Sequence, residues 1–353
     1  MRSLVAALLE PVAYPSVYDV TVRAVGDGTI SLTGDHDDLR REGVYGVYSE
    51  RAYGRIGAIV EQDAAGVVRT LEPAVGELRA GDPVGISIYA FPLDPLRGRG
   101  IAFDEVQVAG PLGPMAAWVV PGGPRWAVYV HGRGSTREEG LRVLGVLHRL
   151  GLTVVLATYR NDAGAPSSPD GYYHLGATEW EDIEAVVAHA AAEGAEDVVL
   201  VASSMGAVLA CRFLLRAPLA GRVSAVILDA PLLDWSATLR NAASRRGVPR
   251  PIAAAAKQLA ARRIGVRWRE LDHVRQAAAF ATPMLIVHGT DDRTVPFDTS
   301  RRLALARPDL VQLVAVPGAG HARSWNRDPE GYDHAVAGFL DGISQPVRRT
   351  SSG

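Results

Sequence analysis

The sequence predicts an α/β fold that follows a smaller β-rich domain. From Glu105 onward, apolar strand-like runs alternate with longer amphipathic or alanine-rich helical patterns. Before Tyr89, short β-branched runs are interrupted by Gly-Asp and Asp-Gly pairs, which is typical of several short strands joined by turns. The chain of 353 residues is about twice the commonest domain size, so two domains are expected.

The N-terminal β-rich domain and its linker are predicted over 1–100. Strand-like runs in this part include Tyr18–Val22 and Gly57–Val60, and the stretch Phe91–Gly100 is rich in Pro, Gly and Arg. That stretch is interpreted as the linker, since proline and glycine interrupt regular structure. No motif in these residues indicates a function.

The second domain is predicted over 101–345 as a mostly parallel sheet with helices on both faces. Continuous apolar strands indicate this arrangement because a strand buried on both sides need not alternate polar and apolar residues. An alanine- and arginine-rich segment over 234–280 predicts a helical cap, and 346–353 are expected to form a flexible tail. The predicted strands are Ala116–Val120, Ala127–Val130, Thr153–Ala157, Val198–Ala202, Ala225–Leu228, Met284–Val287 and Val311–Val316.

Composition excludes several classes of protein. With 48% hydrophobic and 22% charged residues, the chain is unlike disordered, fibrous or membrane-spanning proteins. A net charge of −2 gives no general basic surface for nucleic acid. The only cysteine, Cys211, cannot form an internal disulfide, and the apolar stretch Leu4–Leu9 is shorter than a secretory signal or a membrane span. The expectation is a cytoplasmic protein that binds neither nucleic acid nor membranes.

The most informative stretch for function is 198–207. A strand pattern leads directly into small-x-Ser-x-small and then into a helical pattern, as in a nucleophile elbow. Ala202 and Gly206 occupy the small positions around Ser204, whereas Ser203 would place a methionine in one of them. Ser204 is therefore the candidate nucleophile. Taken alone, the stretch also fits a strand end that serves only packing.

A glycine-rich loop upstream of the serine is the candidate source of an oxyanion donor. The strand Ala127–Val130 ends in the loop His131–Gly134. Acyl transfer passes through a tetrahedral intermediate, whose negative oxygen is stabilised by preorganised backbone amides. The expected donors are the amides of Arg133 and of Met205, the residue directly after the candidate serine.

Two later strand ends supply an acid and a base. The strand Met284–Val287 is followed by Asp291 and Asp292, and the strand Val311–Val316 is followed by His321. A serine needs an imidazole to remove its proton, and the imidazole needs a carboxylate to fix its tautomer. The order serine, acid, histidine at successive strand ends meets that need.

Together these motifs resemble the α/β-hydrolase superfamily over about 105–340. The likeness is greatest to the branch described as carboxylesterase-, thioesterase- or serine-aminopeptidase-like, with a helical cap after the sixth strand. The resemblance implies the α/β-hydrolase fold. One departure is Ala202, where the family usually has the first glycine of the elbow.

The resemblance also implies site residues. The family pattern His-Gly-x-x-Asp-x-x-Val-Pro falls on His288–Pro296, and it implies that Asp292 rather than Asp291 is the acid. Glycine-histidine after the last strand implies His321 as the base. With Ser204 these residues would form a catalytic triad.

Several neighbouring residues are expected to be structural. Asp291 suits a turn residue that accepts backbone amides. His131 is expected to brace its loop, and His288 to lie beneath the site. The loop Tyr159–Tyr173 follows the strand Thr153–Ala157 and is expected near the carboxyl ends of the strands, where ligands bind in open α/β sheets.

The predicted cap has a strong local charge. Between Arg240 and Arg275 there are ten basic residues against two acids, Glu270 and Asp272, in a chain whose net charge is −2. A basic rim beside a cleft would concentrate anionic substrates by focusing the field. A solvated helical face that pairs with acids elsewhere has the same composition, and the sequence leaves both open.

The predicted function is a serine hydrolase that cleaves a carboxylic ester or related acyl bond through an acyl-enzyme. It is expected to need no cofactor and no metal, since no pair of ligands has metal-site spacing, and to act on a small-molecule acyl substrate. Thioesterase or peptidase activity on the same triad is the alternative. Transferase or haloperoxidase-like chemistry also fits, as does a hydrolase-fold protein that only binds a partner.

Overall fold

The computed structural model describes residues 2–12 and 16–344. They form an N-terminal barrel and a larger sheet covered by helices on both faces. The expected flexible tail over 346–353 lies outside the described residues.

The β-rich N-terminal region is a closed barrel. After a first helix, α1 (Arg2–Leu9), its strands are β1 (Val20–Gly26), β2 (Thr29–Gly34), β3 (Tyr45–Tyr48), β4 (Tyr53–Gln62), β5 (Val67–Val75) and β6 (Pro83–Ser87). They close in the order β1-β2-β5-β4-β3-β6, and each pair is antiparallel. Closure leaves no open sheet edge to pair with another chain.

A buried arginine organises one end of the barrel. Most of the barrel interior is apolar, as the alternation of buried Ile30 and Leu32 in β2 illustrates. Arg69 in β5 is also fully buried. Its guanidinium donates to five carbonyl oxygens, those of Asp38, Leu39, Arg41, Gly43 and Gly57, at 2.6–3.3 Å. The loop that joins β2 to β3 is therefore fixed to the barrel wall.

The predicted linker is an ordered connection. It contains the short helix α2 (Pro95–Arg99), which begins after Asp94, whose side chain accepts the Arg97 amide. The Arg99 guanidinium lies 3.6 Å from the Phe91 ring centroid and donates to the Leu141 carbonyl of the second domain. The linker is thus bonded directly to the second domain.

The second domain is built on an eight-stranded sheet. Its strands are β7 (Asp104–Gly110), β8 (Gly113–Val120), β9 (Gly123–Val130), β10 (Leu152–Ala157), β11 (Asp197–Ser203), β12 (Val223–Asp229), β13 (Met284–Gly289) and β14 (Val311–Val316). The order is β14-β13-β12-β11-β9-β10-β8-β7, in which β8 runs antiparallel to both neighbours and β9 to β14 are parallel. All seven predicted strands are confirmed, and β7 is an additional edge strand.

Helices cover both faces of this sheet. The helices of this domain, including those of the cap, are α3 (Leu141–Arg149), α4 (Trp180–Ala192), α5 (Gly206–Arg216), α6 (Trp235–Arg245), α7 (Arg250–Arg263), α8 (Phe297–Ala306), α9 (Ser324–Arg327) and α10 (Pro329–Ser344). Successive side chains of a strand point to opposite faces. Val128 and Val130 accordingly pack with α4 and α5, whereas Ala127 and Tyr129 pack with α3 and α10.

The segment predicted as a cap is helical. Helices α6 and α7 lie between β12 and β13, and α6 begins at Asp234, whose side chain accepts the amides of Ser236 and Ala237. Helix α1, which the sequence-based division placed with the N-terminal domain, packs against α7. Its last residue, Leu9, is fully buried in the core of the second domain.

We expect Arg69→Met to lower the free energy of unfolding by about 3 kcal/mol or more, because five carbonyl oxygens would lose their donor inside the protein. Urea unfolding followed by circular dichroism measures the change. Arg40→Met is the matched control, since Arg40 is exposed and donates to the Asp63 carbonyl from the surface. Equal losses in the two variants would contradict this role of Arg69.

Candidate active site

Ser204 lies on a sharp turn between β11 and α5. Its φ is 49°, in the left-handed region that residues with a Cβ rarely adopt. Backbone contacts hold it there, because its amide donates to the Asp229 carbonyl at 3.0 Å and its carbonyl accepts the Leu232 amide at 3.0 Å. Strained backbone of this kind costs roughly 1–3 kcal/mol and is typical of functional sites.

Gly206, two residues after the serine, is required by close packing. A Cβ at Gly206 would lie 2.3 Å from the Val130 carbonyl oxygen and 2.7 Å from the His131 carbonyl oxygen. Any side chain there would separate the elbow from β9. Ala202, two residues before the serine, is fully buried. The sequence pattern around Ser204 therefore has a direct steric cause.

Ser204, His321 and Asp292 form a continuous chain of hydrogen bonds. The Ser204 Oγ lies 2.8 Å from His321 Nε2, and His321 Nδ1 lies 2.7 Å from Asp292 Oδ2. With the proton on Nδ1 donated to the carboxylate, Nε2 accepts the serine proton. The His321 side chain is 20% exposed, so the imidazole is accessible from solvent.

The Asp292 carboxylate is fully satisfied. Oδ2 accepts from His321 and from His288 Nε2, the latter at 3.0 Å, and Oδ1 accepts the amides of Thr294 and Val295 at 2.8 Å. Burial alone would raise the pKa of Asp292, but the hydrogen bonds from His288 and His321 outweigh it and hold the pKa well below its usual range. The carboxylate is therefore ionised at any working pH.

His288 lies beneath this acid, as expected. Its Nδ1 is 2.7 Å from Ser300 Oγ, and the ring is fully buried. The adjacent Asp291 is exposed, and its amide donates to the Ala319 carbonyl. The two aspartates therefore differ sharply, since only Asp292 reaches His321.

Both predicted oxyanion donors belong to segments that adjoin Ser204. Met205 directly follows the serine and precedes the first turn of α5, where backbone N–H groups carry partial positive charge. On the other side, a Cβ built on Gly132 would lie 3.2 Å from the Ser204 Cβ, so the loop that contains Arg133 lies against the serine.

His131 braces that loop. Its Nε2 lies 2.8 Å from Asp162 Oδ2 and its Nδ1 lies 2.9 Å from the Gly132 carbonyl, so both ring nitrogens face acceptors. Burial alone would lower the pKa of His131, but the Asp162 carboxylate outweighs it and raises the pKa. The ring stacks on Tyr159, whose hydroxyl donates to the Gly132 carbonyl at 3.2 Å. The loop after β10 therefore supports the loop His131–Gly134, the candidate oxyanion loop.

Sequence reasoning missed a buried ion pair behind the site. Glu139 and Arg142 are fully buried and lie 3.0 Å apart. Glu139 also accepts the Gly132 amide and the Ser203 hydroxyl, each at 3.0 Å. Burial alone would raise the pKa of Glu139, but Arg142 and the Gly132 amide hold it below its ordinary value. The only signal in the sequence was two charged residues near the start of a helix, a pattern that surface helices share.

Arg142 extends this contact to the loop of the histidine. Its Nη1 donates to the Ala322 carbonyl at 2.6 Å and to Asn326 Oδ1 at 2.9 Å. Ala322 has a φ of 53°, so this loop also carries strained backbone. The Glu139–Arg142 pair therefore connects the oxyanion loop, the elbow and the histidine loop.

A second buried carboxylate lies under the site. Asp229 ends β12, is 6% exposed, and its Oδ1 has no hydrogen-bond partner among the described residues. Burial raises the pKa of Asp229 to about 6, with Glu139 adding to the effect and Arg142 opposing it. A group of this kind is typical of a functional region, because an uncompensated buried charge is costly.

Segments outside the sheet contact the loops of the site. In the cap, Asn241 Nδ2 donates to the carbonyls of Arg293 and Thr294, next to the acid, at 2.8 and 3.2 Å. At the N-terminus, Arg133 Nη2 donates to the carbonyls of Ala7 and Glu10 at 2.8 and 3.1 Å. The cap thus supports the acid loop, which carries Asp292, Arg293 and Thr294. Helix α1 and the residue after it support the oxyanion loop.

Nine of the ten basic residues of the cap are exposed to solvent. The exception, Lys257, donates to Ser236 Oγ at 2.6 Å and lies over the Trp268 ring.

Within 2–12 and 16–344, no group of three or more His, Cys, Asp or Glu side chains is arranged to hold a metal ion. No helix of those ranges is both long and apolar enough to cross a membrane.

Comparison with known families places the larger domain. The alpha/beta hydrolase family matches residues 127–335, which include every candidate site residue. The chain belongs to the alpha/beta hydrolase family. It is therefore a hydrolase, as the motifs predicted. The barrel matches a domain of unknown function, DUF8805, over residues 21–87.

Three individual proteins are similar to this chain. An uncharacterised protein of Mycobacterium tuberculosis is 29% identical over 252 residues, which cover 67% of this chain and 76% of that protein. An esterase of Pyrococcus furiosus has a TM-score of 0.58 at 17% identity, over 72% of this chain and 95% of its own. Esterase 2 of Thermogutta terrifontis, phosphoramylated by tabun, has a TM-score of 0.53 at 20% identity, over 69% and 95%. The structural likeness shows a shared fold.

We expect Asp229→Asn to stabilise the protein at neutral pH. The folded-state pKa of about 6 lies above the ordinary value of 3.8, so the wild-type protein loses stability as pH rises from about 4 to about 6. Two pKa units correspond to roughly 2–3 kcal/mol, which the uncharged amide would recover above pH 7. Urea unfolding at pH 4 and pH 8 tests this. A stability difference between variant and wild type that does not change with pH would contradict it.

Proposed function

We propose that the protein is a serine hydrolase of carboxylic esters or related acyl compounds that acts through Ser204, His321 and Asp292. The observation that carries the proposal is the unbroken hydrogen-bonded chain from Ser204 Oγ through the imidazole to Asp292, at 2.8 and 2.7 Å. A serine on a strained turn, next to a helix N-terminus, is the arrangement that acyl transfer requires.

In the first half of the proposed reaction, Ser204 Oγ attacks the acyl carbonyl while His321 Nε2 takes the serine proton. The amides of Met205 and Arg133 donate to the oxygen of the tetrahedral intermediate. The carbon–oxygen bond to the leaving group then breaks, and His321 delivers the proton to the departing alkoxide. The products of this half are an alcohol and an acyl-enzyme.

In the second half, a water molecule takes the place of the alcohol. His321 removes its proton, the resulting hydroxide attacks the acyl carbon, and the proton returns to Ser204 as the acid leaves. Asp292 remains ionised throughout, because the hydrogen bonds from His288 and His321 hold its pKa low. Its negative charge stabilises the imidazolium formed in each transition state.

Esters are the first substrate proposal, and thioesters and short peptides follow on the same residues. Structural neighbours described as esterases, from Pyrococcus furiosus and Thermogutta terrifontis, support this order. The Thermogutta enzyme is described with a bound organophosphorus group, which supports testing this chain with a phosphonate probe. A cytoplasmic location remains part of the proposal, supported by the single, buried, free Cys211.

The test is labelling with a fluorophosphonate together with hydrolysis of p-nitrophenyl butyrate. We expect the wild-type protein to be labelled and Ser204→Ala to be unlabelled. We also expect kcat to fall by about 10⁴-fold or more in that variant, because removing the nucleophile disables the whole triad. Ser203→Ala is the matched control for which serine is labelled and should still be labelled, since the Ser203 hydroxyl donates to Glu139 instead of His321.

The outcomes separate the candidate functions. Equal labelling of wild type and Ser204→Ala would overturn the assignment of the nucleophile. Absence of labelling and of ester hydrolysis in the wild-type protein would favour a hydrolase-fold protein that only binds a partner.

The basic cap leads to a prediction about substrate charge. We expect an ester whose acyl chain ends in a carboxylate to have a higher kcat/KM at low salt than a neutral ester of equal length, because the exposed arginines attract it. The advantage should vanish at about 0.5 M salt, where screening is strong. Equal turnover of the two esters at both salt concentrations would show that the cap is a solvated face.

A further inference from the structure

The loop that carries His321 is held from two sides. His321 to Asn326 follow the last strand, and Ala322 within them has a φ of 53°. Strained backbone persists only where its surroundings fix it. On one side, Arg142 of the hydrolase domain donates to the Ala322 carbonyl at 2.6 Å. On the other side, Asp38 and Val44 of the N-terminal domain bond to Arg323 and Asn326.

The strongest barrel contact is an ion pair next to the histidine. Arg323 Nε lies 2.7 Å from Asp38 Oδ1, and its Nη2 lies 2.6 Å from Asp38 Oδ2. The Asp38 side chain is 1% exposed, and the Arg323 side chain 25%. Two parallel bonds between a guanidinium and a carboxylate fix orientation as well as distance. The remaining amino group, Nη1, donates to the carbonyl of His321 itself at 2.9 Å.

A second barrel contact fixes helix α9, which directly follows the same loop. The Asn326 side chain is fully buried, and its Nδ2 donates to the carbonyls of Val44 and Ile88 at 2.6 and 2.8 Å. The backbone carbonyl of Asn326 accepts the Val44 amide at 2.8 Å. A Cβ at Gly43 would lie 2.3 Å from the Asn326 carbonyl oxygen. Gly43, with a φ of 125°, therefore permits the barrel to approach this closely.

The barrel side of the contact is rigid. Arg69 donates to the carbonyls of Asp38 and Gly43, so the residues that contact the histidine loop are fixed to the barrel wall. The path from Arg69 to Asp38, from Asp38 to Arg323, and from Arg323 to the His321 carbonyl consists of direct bonds. A displacement of the barrel loop would therefore move the imidazole.

We infer that the barrel domain positions the catalytic base, and that Asp38 is a positioning residue that acts on His321 through Arg323. The inference rests on the proposed function, since it gives the barrel a task in that reaction. His321 must reach both Ser204 and Asp292, and an error of about 1 Å in such a group lowers rates by roughly 10²-fold. The N-terminal domain, whose sequence motifs indicate no function, would thus be part of the catalytic apparatus. None of its described side chains touches the reacting atoms.

The test uses the full-length chain with Asp38→Asn, Arg323→Gln and the double variant. We expect each single substitution to lower kcat for p-nitrophenyl butyrate by about 10-fold or more while KM changes less than about 3-fold, because substrate contacts are intact. The rate of fluorophosphonate labelling should fall by the same factor, since labelling also needs His321 to take the serine proton. The double variant should be no worse than the poorer single variant, because both remove one path.

Conservative variants and a distant control separate positioning from general stability. Asp38→Glu keeps the carboxylate and should recover part of the lost kcat. Asp197→Asn removes another arginine–aspartate pair, that of Asp197 with Arg125 at 3.0 Å. Asp197 begins strand β11, at the opposite end of that strand from Ser204. It should lower the thermal midpoint without changing kcat at 25 °C. If Asp38→Asn does not fold, Arg323→Lys serves instead, since a single ammonium cannot span the carboxylate and the His321 carbonyl.

Each outcome is decisive. A folded Asp38→Asn protein with wild-type kcat and wild-type labelling rate would overturn the positioning role while leaving the proposed function intact. A loss of kcat in Asp197→Asn as large as in Asp38→Asn would also overturn it, because the effect would then follow stability. A wild-type protein that neither reacts with the probe nor hydrolyses the ester would overturn the proposed function, and the positioning role with it.

Discussion

The buried ion pair between Glu139 and Arg142 is the contact on which the candidate site depends. Its members lie 3.0 Å apart, and between them they bond the Gly132 amide, the Ser203 hydroxyl and the Ala322 carbonyl. These groups belong to the oxyanion loop, the elbow and the histidine loop, which are distant in sequence. Breaking a buried pair by removing one member typically costs about 3–5 kcal/mol, because the other charge stays buried without its partner. Here the same loss would also release three loops from one another.

Two buried carboxylates, Asp292 and Asp229, show how local donors set the charge of the site. Asp292 is buried, but two imidazoles and two backbone amides bond it, and its pKa lies well below the usual range. Asp229 is as deeply buried, one of its oxygens has no partner in the described part of the chain, and its pKa is raised to about 6. Burial acts in the same direction on both, so hydrogen bonding decides the difference. The site thereby keeps a permanent negative charge where an imidazolium would need it.

Three segments outside the central sheet each support a different loop of the site. The barrel bonds the histidine loop through Asp38 and Arg323, the cap bonds the acid loop through Asn241, and helix α1 accepts the side chain of Arg133 from the oxyanion loop. Loops at the ends of parallel strands have few partners within the sheet itself, so added segments are the natural source of rigidity. The barrel, the cap and α1 are thus each bonded to a loop that carries one of the proposed site residues.

The sequence by itself determined the fold class, all seven predicted strands, and the residues that meet in the site. Fully buried strands are recognisable in a sequence as continuous apolar runs. The elbow needs small residues around Ser204, because a Cβ at Gly206 would lie 2.3 Å from the Val130 carbonyl oxygen. Only the tertiary structure revealed the closed barrel, the Glu139–Arg142 pair, the raised pKa of Asp229 and the bond from Asp38 to Arg323. Each of these joins residues far apart in the chain, or depends on what surrounds a side chain after folding. The sequence does not show whether a charged residue is solvated or buried in the folded protein, so no local pattern distinguishes the two.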